Sequence, residues 1–201
     1  MMPHSRHRPN AGRGNLHAHA RSNTAPVESR VDIFLQPGEF FVADAGFQMR
    51  TMLGSCVSIT LWHPATRLGA MSHFLLPTRG APVPQHELDA KYGDEALQLM
   101  LGELQGLGIA PNQCEGKVFG GGNMFPLQSH AGAINVGQRN GDAALTLLHA
   151  HGIPIVSESL FGIGHRNIIF DLGTGDVWSH QITPSVQETQ TEEDWLWPAS
   201  R

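Results

Sequence analysis

A cysteine and a histidine carry the chemistry that can be read from this chain. Cys56 lies in Leu53-Gly54-Ser55-Cys56-Val57, just ahead of an apolar run, and His73 lies in Met71-Ser72-His73-Phe74 at the end of another. A thiolate is the strongest nucleophile a side chain offers, and a nearby imidazole is what activates it. Gly54 lets the backbone turn sharply, so that the thiol is presented rather than packed. Each residue alone also has a plain structural reading, because free cysteines are among the most buried residue types and a histidine in a strand can simply pack.

Two strands would bring the pair together. Residues 57–62, Val-Ser-Ile-Thr-Leu-Trp, alternate apolar and polar as a half-buried strand does. The turn His63-Pro64-Ala65-Thr66 leads to a second apolar segment, residues 68–76, with His73 inside it. A hairpin of this length returns His73 close to Cys56. Upstream, residues 31–35 and 40–45 read as short strands around the turn Gln36-Pro37-Gly38-Glu39, and residues 48–53 as a third that feeds the Gly54-Ser55-Cys56 turn.

Downstream, Tyr92, Ala96, Leu99, Met100, Leu104 and Leu107 recur at helical spacing, which predicts a helix over about 87–107 stopped by Gly108. Residues 117–119 form a short strand running into Gly120-Gly121-Gly122-Asn123. A second helix spans about 142–151, with Asn140 as a candidate cap. Strands follow at 154–159, 167–170 and 177–182, the last two around the hairpin turn Asp171-Leu172-Gly173-Thr174-Gly175-Asp176. Strands before the first long helix and a closing hairpin predict an α/β layered sandwich, a mixed β-sheet core with flanking helices, rather than a parallel doubly wound sheet.

The glycine run lacks the Gly-Lys-Ser/Thr of a phosphate-binding P-loop and opens no helix as Gly-x-Gly-x-x-Gly. It reads either as a wall of the active site, with Asn123 and Ser55 as the candidate substrate contacts, or as a plain turn.

At 201 residues the chain suits one domain with a substantial core. Two cysteines, Cys56 and Cys114, make neither a disulfide framework nor a zinc-ligand pattern, and reduced thiols are the simpler reading. No apolar stretch reaches the roughly 18 residues of a membrane span, and the N-terminus lacks the apolar core of a secretory signal. Together these predict a cytoplasmic protein.

Residues 1–30 hold five arginines and one glutamate, a net of +4, so that the total of −5 leaves −9 on residues 31–201. An acidic body argues against nucleic acid as the main partner. Residues 1–29 read as a disordered basic tail, in which His4, His7, His17 and His19 lack the carboxylate or cysteine partners of a metal site. Residues 185–201 form a second tail, with Glu192, Glu193 and Asp194 beside Trp195 and Trp197, suited to docking or to folding back on the body. The catalytic domain is then residues 30–184.

Four segments together resemble the chemoreceptor glutamine deamidase family, CheD: Leu53-Gly54-Ser55-Cys56-Val57; Gly69-Ala70-Met71-Ser72-His73-Phe74-Leu75-Leu76-Pro77; Lys117-Val118-Phe119-Gly120-Gly121-Gly122-Asn123-Met124; and Asp171-Leu172-Gly173-Thr174-Gly175-Asp176-Val177. They occur in the family's order. The resemblance implies a fold like that of the toxin deamidases, which are cysteine hydrolases, and hydrolysis of particular glutamine side chains on methyl-accepting chemotaxis receptors. It makes Cys56 the nucleophile and His73 the base, with no metal or organic cofactor. It also implies a CheC-type phosphatase as a competing partner, and no membrane insertion.

The chain departs from the family pattern at one place. The third catalytic residue is a threonine six positions before the cysteine, where this chain has Arg50, with Thr51 one residue later. On a strand a one-residue shift moves a side chain to the opposite face. Either the register slips and Thr51 orients His73, or another group does. On the first alternative Arg50 faces outward, toward an acidic receptor helix. Two rival functions stand beside the deamidase: a non-catalytic module that uses the same surface, and a cysteine hydrolase of another class.

Overall fold

The computed structural model describes residues 30–124 and 135–183. The expected tails, with the four N-terminal histidines and the two C-terminal tryptophans, lie outside the described residues.

Among the described residues nine strands form two mixed sheets. They are β1 Val31–Phe34, β2 Phe40–Ala43, β3 Phe47–Leu53, β4 Val57–His63, β5 Leu68–Ser72, β6 Glu115–Gly120, β7 Ile155–Leu160, β8 His165–Asp171 and β9 Val177–Ile182. One sheet has four strands in the order β1-β3-β8-β9, and the other has five in the order β2-β5-β4-β6-β7. Each contains a parallel pair among antiparallel ones, β1 with β3 and β6 with β7. The helices α1, Gly93–Gly106, and α2, Val136–Ala150, lie against the five-stranded sheet. The layered α/β architecture is therefore as expected, with two stacked sheets in place of one. Among the described residues no helix is long and apolar enough to cross a membrane.

Alternation along the strands produces these layers. In β4, Val57, Ile59 and Leu61 join a core with Ala96, Leu97, Met100 and Leu104 of α1 and Ala144 and Leu148 of α2. Full burial of each large aliphatic side chain contributes roughly 1.5–3 kcal/mol. The opposite face of β4, with Ser58 and Thr60, turns toward the four-stranded sheet. There Met49 and Leu53 of β3, Met71 of β5, Phe119 of β6 and Ile168 and Phe170 of β8 form a second core. The two sheets are tied at one end by the Asp171–Asp176 turn, where Trp62 of β4 donates its indole N–H to the Leu172 carbonyl at 2.9 Å and Lys117 of β6 donates to the Gly175 carbonyl at 2.7 Å. At the other end the buried Arg166 of β8 reaches the Ser159 and Phe161 carbonyls and the Ser159 hydroxyl.

Both helices differ from the periodicity reading. The first begins at Gly93, because residues 85–87 form a separate 3-10 turn and Lys91 pairs with the outgoing strand at Leu75 and Leu76. The second begins at Val136, six residues earlier than expected. Its cap is Asn135, which accepts from the Gln138 N–H at 3.0 Å, and Asn140 lies inside the helix.

Candidate active site

The hairpin β4–β5 places Cys56 and His73 on one face. The register pairs Thr60 with Met71, and an isolated bridge pairs Val57 with Phe74. In that register Ser58 stands opposite His73, and Cys56, two residues before Ser58, is its diagonal neighbour on the same face. Diagonal positions are about 7 Å apart, within reach of an imidazole. Cys56 is half-buried and packs against the inter-sheet core, while His73 is 2% exposed. Cys114 lies in the helix-side core, so β4 and its neighbours separate the two thiols, and both are free.

Thr51 approaches His73 from the other sheet. In β3 the buried positions are Met49, Thr51 and Leu53, and the exposed ones are Arg50 and Met52. The Thr51 hydroxyl donates to the Leu35 carbonyl at 2.7 Å. Its single proton is then spent, so the contact of 2.8 Å between its oxygen and His73 Nδ1 needs the proton on the ring nitrogen. Nδ1–H donates, and Nε2 keeps a free lone pair. Nε2 is buried with no partner among the described residues. Arg50 sits on the outer face, paired with Asp32 at 2.9 Å and 6.0 Å from the Phe34 ring centroid.

Burial decides the protonation of the pair. It pushes His73 down to about 4, against the Leu35 carbonyl and the Glu39 charge, which favour the cation. It also pushes the Cys56 thiol up, against the thiol's own backbone N–H. Burial therefore disfavours the charged form of both groups. Burial raises the Cys114 thiol to about 11. The unfolded-state His73 takes up its proton near pH 6.5, the folded one near 4, so stability is full above 6.5 and is lost as pH falls toward 4. Chemical denaturation between pH 7.5 and 4.5 is expected to show this loss and to show a shallower one in His73→Gln. Equal slopes would mean that the ring is solvated.

The glycine run packs backbone to backbone on the cysteine turn. The Gly121 N–H donates to the Cys56 carbonyl and the Gly122 N–H to the Gly54 carbonyl, each at 2.8 Å. A Cβ on Gly120, whose φ is 118°, would fall 2.2 Å from the Cys56 carbonyl oxygen, so only glycine permits this approach. The Asn123 N–H donates to the Gly162 carbonyl at 2.7 Å. With the amides of Gly121, Gly122 and Asn123 all engaged, this loop does not supply an oxyanion donor from them. Ser55 offers its carbonyl to Asn140, whose amide donates to it at 3.0 Å and to the Leu75 carbonyl at 2.8 Å.

The sequence offers Asn140 only as a helix cap and gives no sign of the Leu35 carbonyl. Nothing local marks a backbone carbonyl as a partner. Asn140 does carry a signal, since it is the one polar residue on the stripe Gly137, Asn140, Gly141, Ala144, Leu148 that α2 buries.

The fold and the site define a two-sheet α/β protein with a thiol and a hydroxyl-held imidazole between its sheets. Residues 75–181, a little over half of the chain, match the family model described as CheD chemotactic sensory transduction. A protein of Albidiferax ferrireducens named "Probable chemoreceptor glutamine deamidase CheD 2" is 72% identical over 166 residues, 83% of this chain and 96% of that protein. A protein of Pseudomonas savastanoi pv. phaseolicola named "Probable chemoreceptor glutamine deamidase CheD" is 40% identical over 81% of this chain and 92% of that one. The chain belongs to the CheD family. Among solved structures, a Neisseria meningitidis protein of family DUF152 overlaps it with a TM-score of 0.34 at 13% identity, covering 68% of this chain and 60% of that one, a likeness too slight to build on.

Proposed function

We propose that this protein deamidates glutamine side chains of methyl-accepting chemotaxis receptors, with Cys56 as nucleophile, His73 as general base and acid, and Thr51 as the residue that orients His73. The reading rests on family membership together with one observation: Thr51 donates to Leu35 and so receives Nδ1–H, which leaves Nε2 unprotonated on the face that carries Cys56.

The chemistry follows from that tautomer. As the sulfur attacks the glutamine Cδ, its proton passes to His73 Nε2, and the carbonyl π electrons move to oxygen. Burial disfavours charge on either partner, so proton transfer accompanies the attack. The Cys56 backbone N–H, beside its own sulfur, is the first donor to the oxyanion. The imidazolium gives the proton to the amide nitrogen, the C–N bond breaks, and ammonia leaves a thioester. Water, deprotonated by the same nitrogen, attacks the thioester, and glutamate and the thiol return. Thr51 and the Leu35 carbonyl both stabilise the ring while it is charged. Each turnover adds a carboxylate to a receptor helix that a methyltransferase can then esterify, the chemistry that adaptation needs.

Action on the cytoplasmic helices of such receptors requires a cytoplasmic protein, which is the location this proposal assigns. The deamidase unit is residues 30–184, and a CheC-type phosphatase is the further partner the resemblance implies. Ser55, next to the reacting thiol in the chain, and Asn123, at the end of the glycine run, are kept as candidate substrate contacts. Intact-mass analysis of receptor cytoplasmic domains incubated with the protein tests the activity. A gain of about 1 Da per modified glutamine is expected, since an amide NH₂ becomes OH. An unchanged mass with every receptor domain tried would end the proposal.

The departure from the family pattern is tested by two neighbours. Thr51→Ala is expected to lower kcat more than about tenfold, because the imidazolium loses an acceptor and the ring its orientation. Thr51→Ser should recover most of that loss. Arg50→Ala is expected to leave kcat unchanged and at most to raise KM, because its guanidinium lies on the far side of the sheet. A kcat loss confined to Arg50→Ala would reverse the assignment.

A further inference from the structure

Asn140 is fully buried in the middle of α2, where an asparagine lowers helix stability relative to alanine or leucine. Its Oδ1 has no partner among the described residues. An unpaired buried acceptor is a standing cost, and a helix that only packs against a sheet requires neither feature. Both N–H bonds of its amide go to one pair of carbonyls, Ser55 at 3.0 Å and Leu75 at 2.8 Å. Two acceptors on that side fix which end of the amide faces them.

Those carbonyls lie where the strands of the nucleophile and the base separate. The ladder between them ends at Val57 and Phe74, which exchange hydrogen bonds of 3.1 and 3.0 Å. Beyond that pair the Leu75 and Leu76 N–H groups turn to the Lys91 carbonyl, and the other chain bends away through Ser55 and Gly54. Cys56 is opposite Leu75 in this register, in the gap. Asn140 supplies the cross-link the ladder no longer makes, between the residue before Cys56 and the residue two after His73. We infer that Asn140 is a positioning residue that sets the spacing of Cys56 and His73 for catalysis. This rests on the thiol–imidazole reading above.

The test compares full-length Asn140→Ala, Asn140→Asp, Leu148→Ala and Cys56→Ala on receptor cytoplasmic domains, with rates expressed per folded molecule. Leu148 lies on the same buried stripe and makes only apolar contacts, so its variant reports the loss of α2 packing alone. Misplacement of a reacting group by an ångström can cost about a hundredfold in rate, so Asn140→Ala is expected to lower kcat by at least about tenfold with KM within about twofold. Leu148→Ala, at an equal or larger fall in Tm, should keep kcat within about twofold.

Asn140→Asp preserves shape. As a neutral acid it can donate one of the two bonds. As a carboxylate it donates none and sets charge against two carbonyls. Its kcat relative to wild type is expected to fall as pH rises from about 5.5 to about 8, a range in which His73, held down to about 4, stays neutral in wild type. Two results overturn the inference: Asn140→Ala matching Leu148→Ala in kcat, or a flat Asn140→Asp ratio. If Asn140→Ala fails to fold, Asn140→Asp decides. Failure of both to fold overturns it as well, because the amide would then be a condition of folding. An active Cys56→Ala sinks the thiol reading, whereas an inactive one beside a wild-type-like Asn140→Asp sinks this inference alone.

Discussion

Cys56→Ala is expected to abolish receptor deamidation while the protein keeps its fold. On the proposed mechanism the Cys56 thiol forms the thioester, the other cysteine, Cys114, lies in the helix-side core, and water at an unassisted amide reacts too slowly to register. The fold should survive because Cys56 is half-buried at the rim of the second core, and alanine removes a single sulfur there. Its backbone carbonyl still accepts from Gly121, so the turn stays pinned. Circular dichroism and residual activity measured on one preparation separate the two effects. Iodoacetamide gives an independent check. Burial raises both thiols, but Cys114 is held at about 11 and is 1% exposed, so Cys56 is expected to alkylate first and activity to fall with its modification. Retained activity in Cys56→Ala, or modification of Cys114 ahead of Cys56, would remove the thiol mechanism.

His73→Gln is expected to lower kcat by at least about a hundredfold, the usual scale for losing a general base. Glutamine fills much of the imidazole volume and can still meet Thr51, but it offers no nitrogen lone pair to the sulfur's proton. The pH profile adds a sharper reading. Because burial holds His73 down to about 4, wild-type kcat/KM should keep its base down to about pH 5 and fall off near 4, well below the value for a free histidine. The variant should lack that acid limb. Among the described residues His73 is the histidine hydrogen-bonded to Thr51, and replacement of His63, His86, His149, His151, His165 or His180 should leave kcat within about twofold. A wild-type limb near pH 6.5, or equal losses at His165, would show that the imidazole is solvated or that another base acts.

Much of this protein is legible along the chain because period and turn chemistry are local. The alternation in β3 and β4 is visible in the residue order, and so are the hairpin that returns His73 toward Cys56 and the glycine run. The same alternation already separates Arg50 from Thr51, since neighbours on a strand face opposite ways. What it does not contain is which of those faces meets His73, because that depends on how one sheet stacks on another. The stack, formed by burying Met49, Leu53, Met71 and Phe119 together, brings Thr51 within 2.8 Å of the ring and leaves Arg50 outside. The start of α1 depends on a partner distant in sequence, since Lys91 pairs with Leu75 and Leu76 in place of a helical turn, whereas α2 starts on its local cap Asn135 and only the contact of Asn140 with Ser55 is distant. How strongly burial disfavours charge on the thiol and the imidazole is likewise set by packing and not by residue order. Composition and period thus determine which residues lie on each face, and tertiary structure decides which faces meet and how dry the contact becomes.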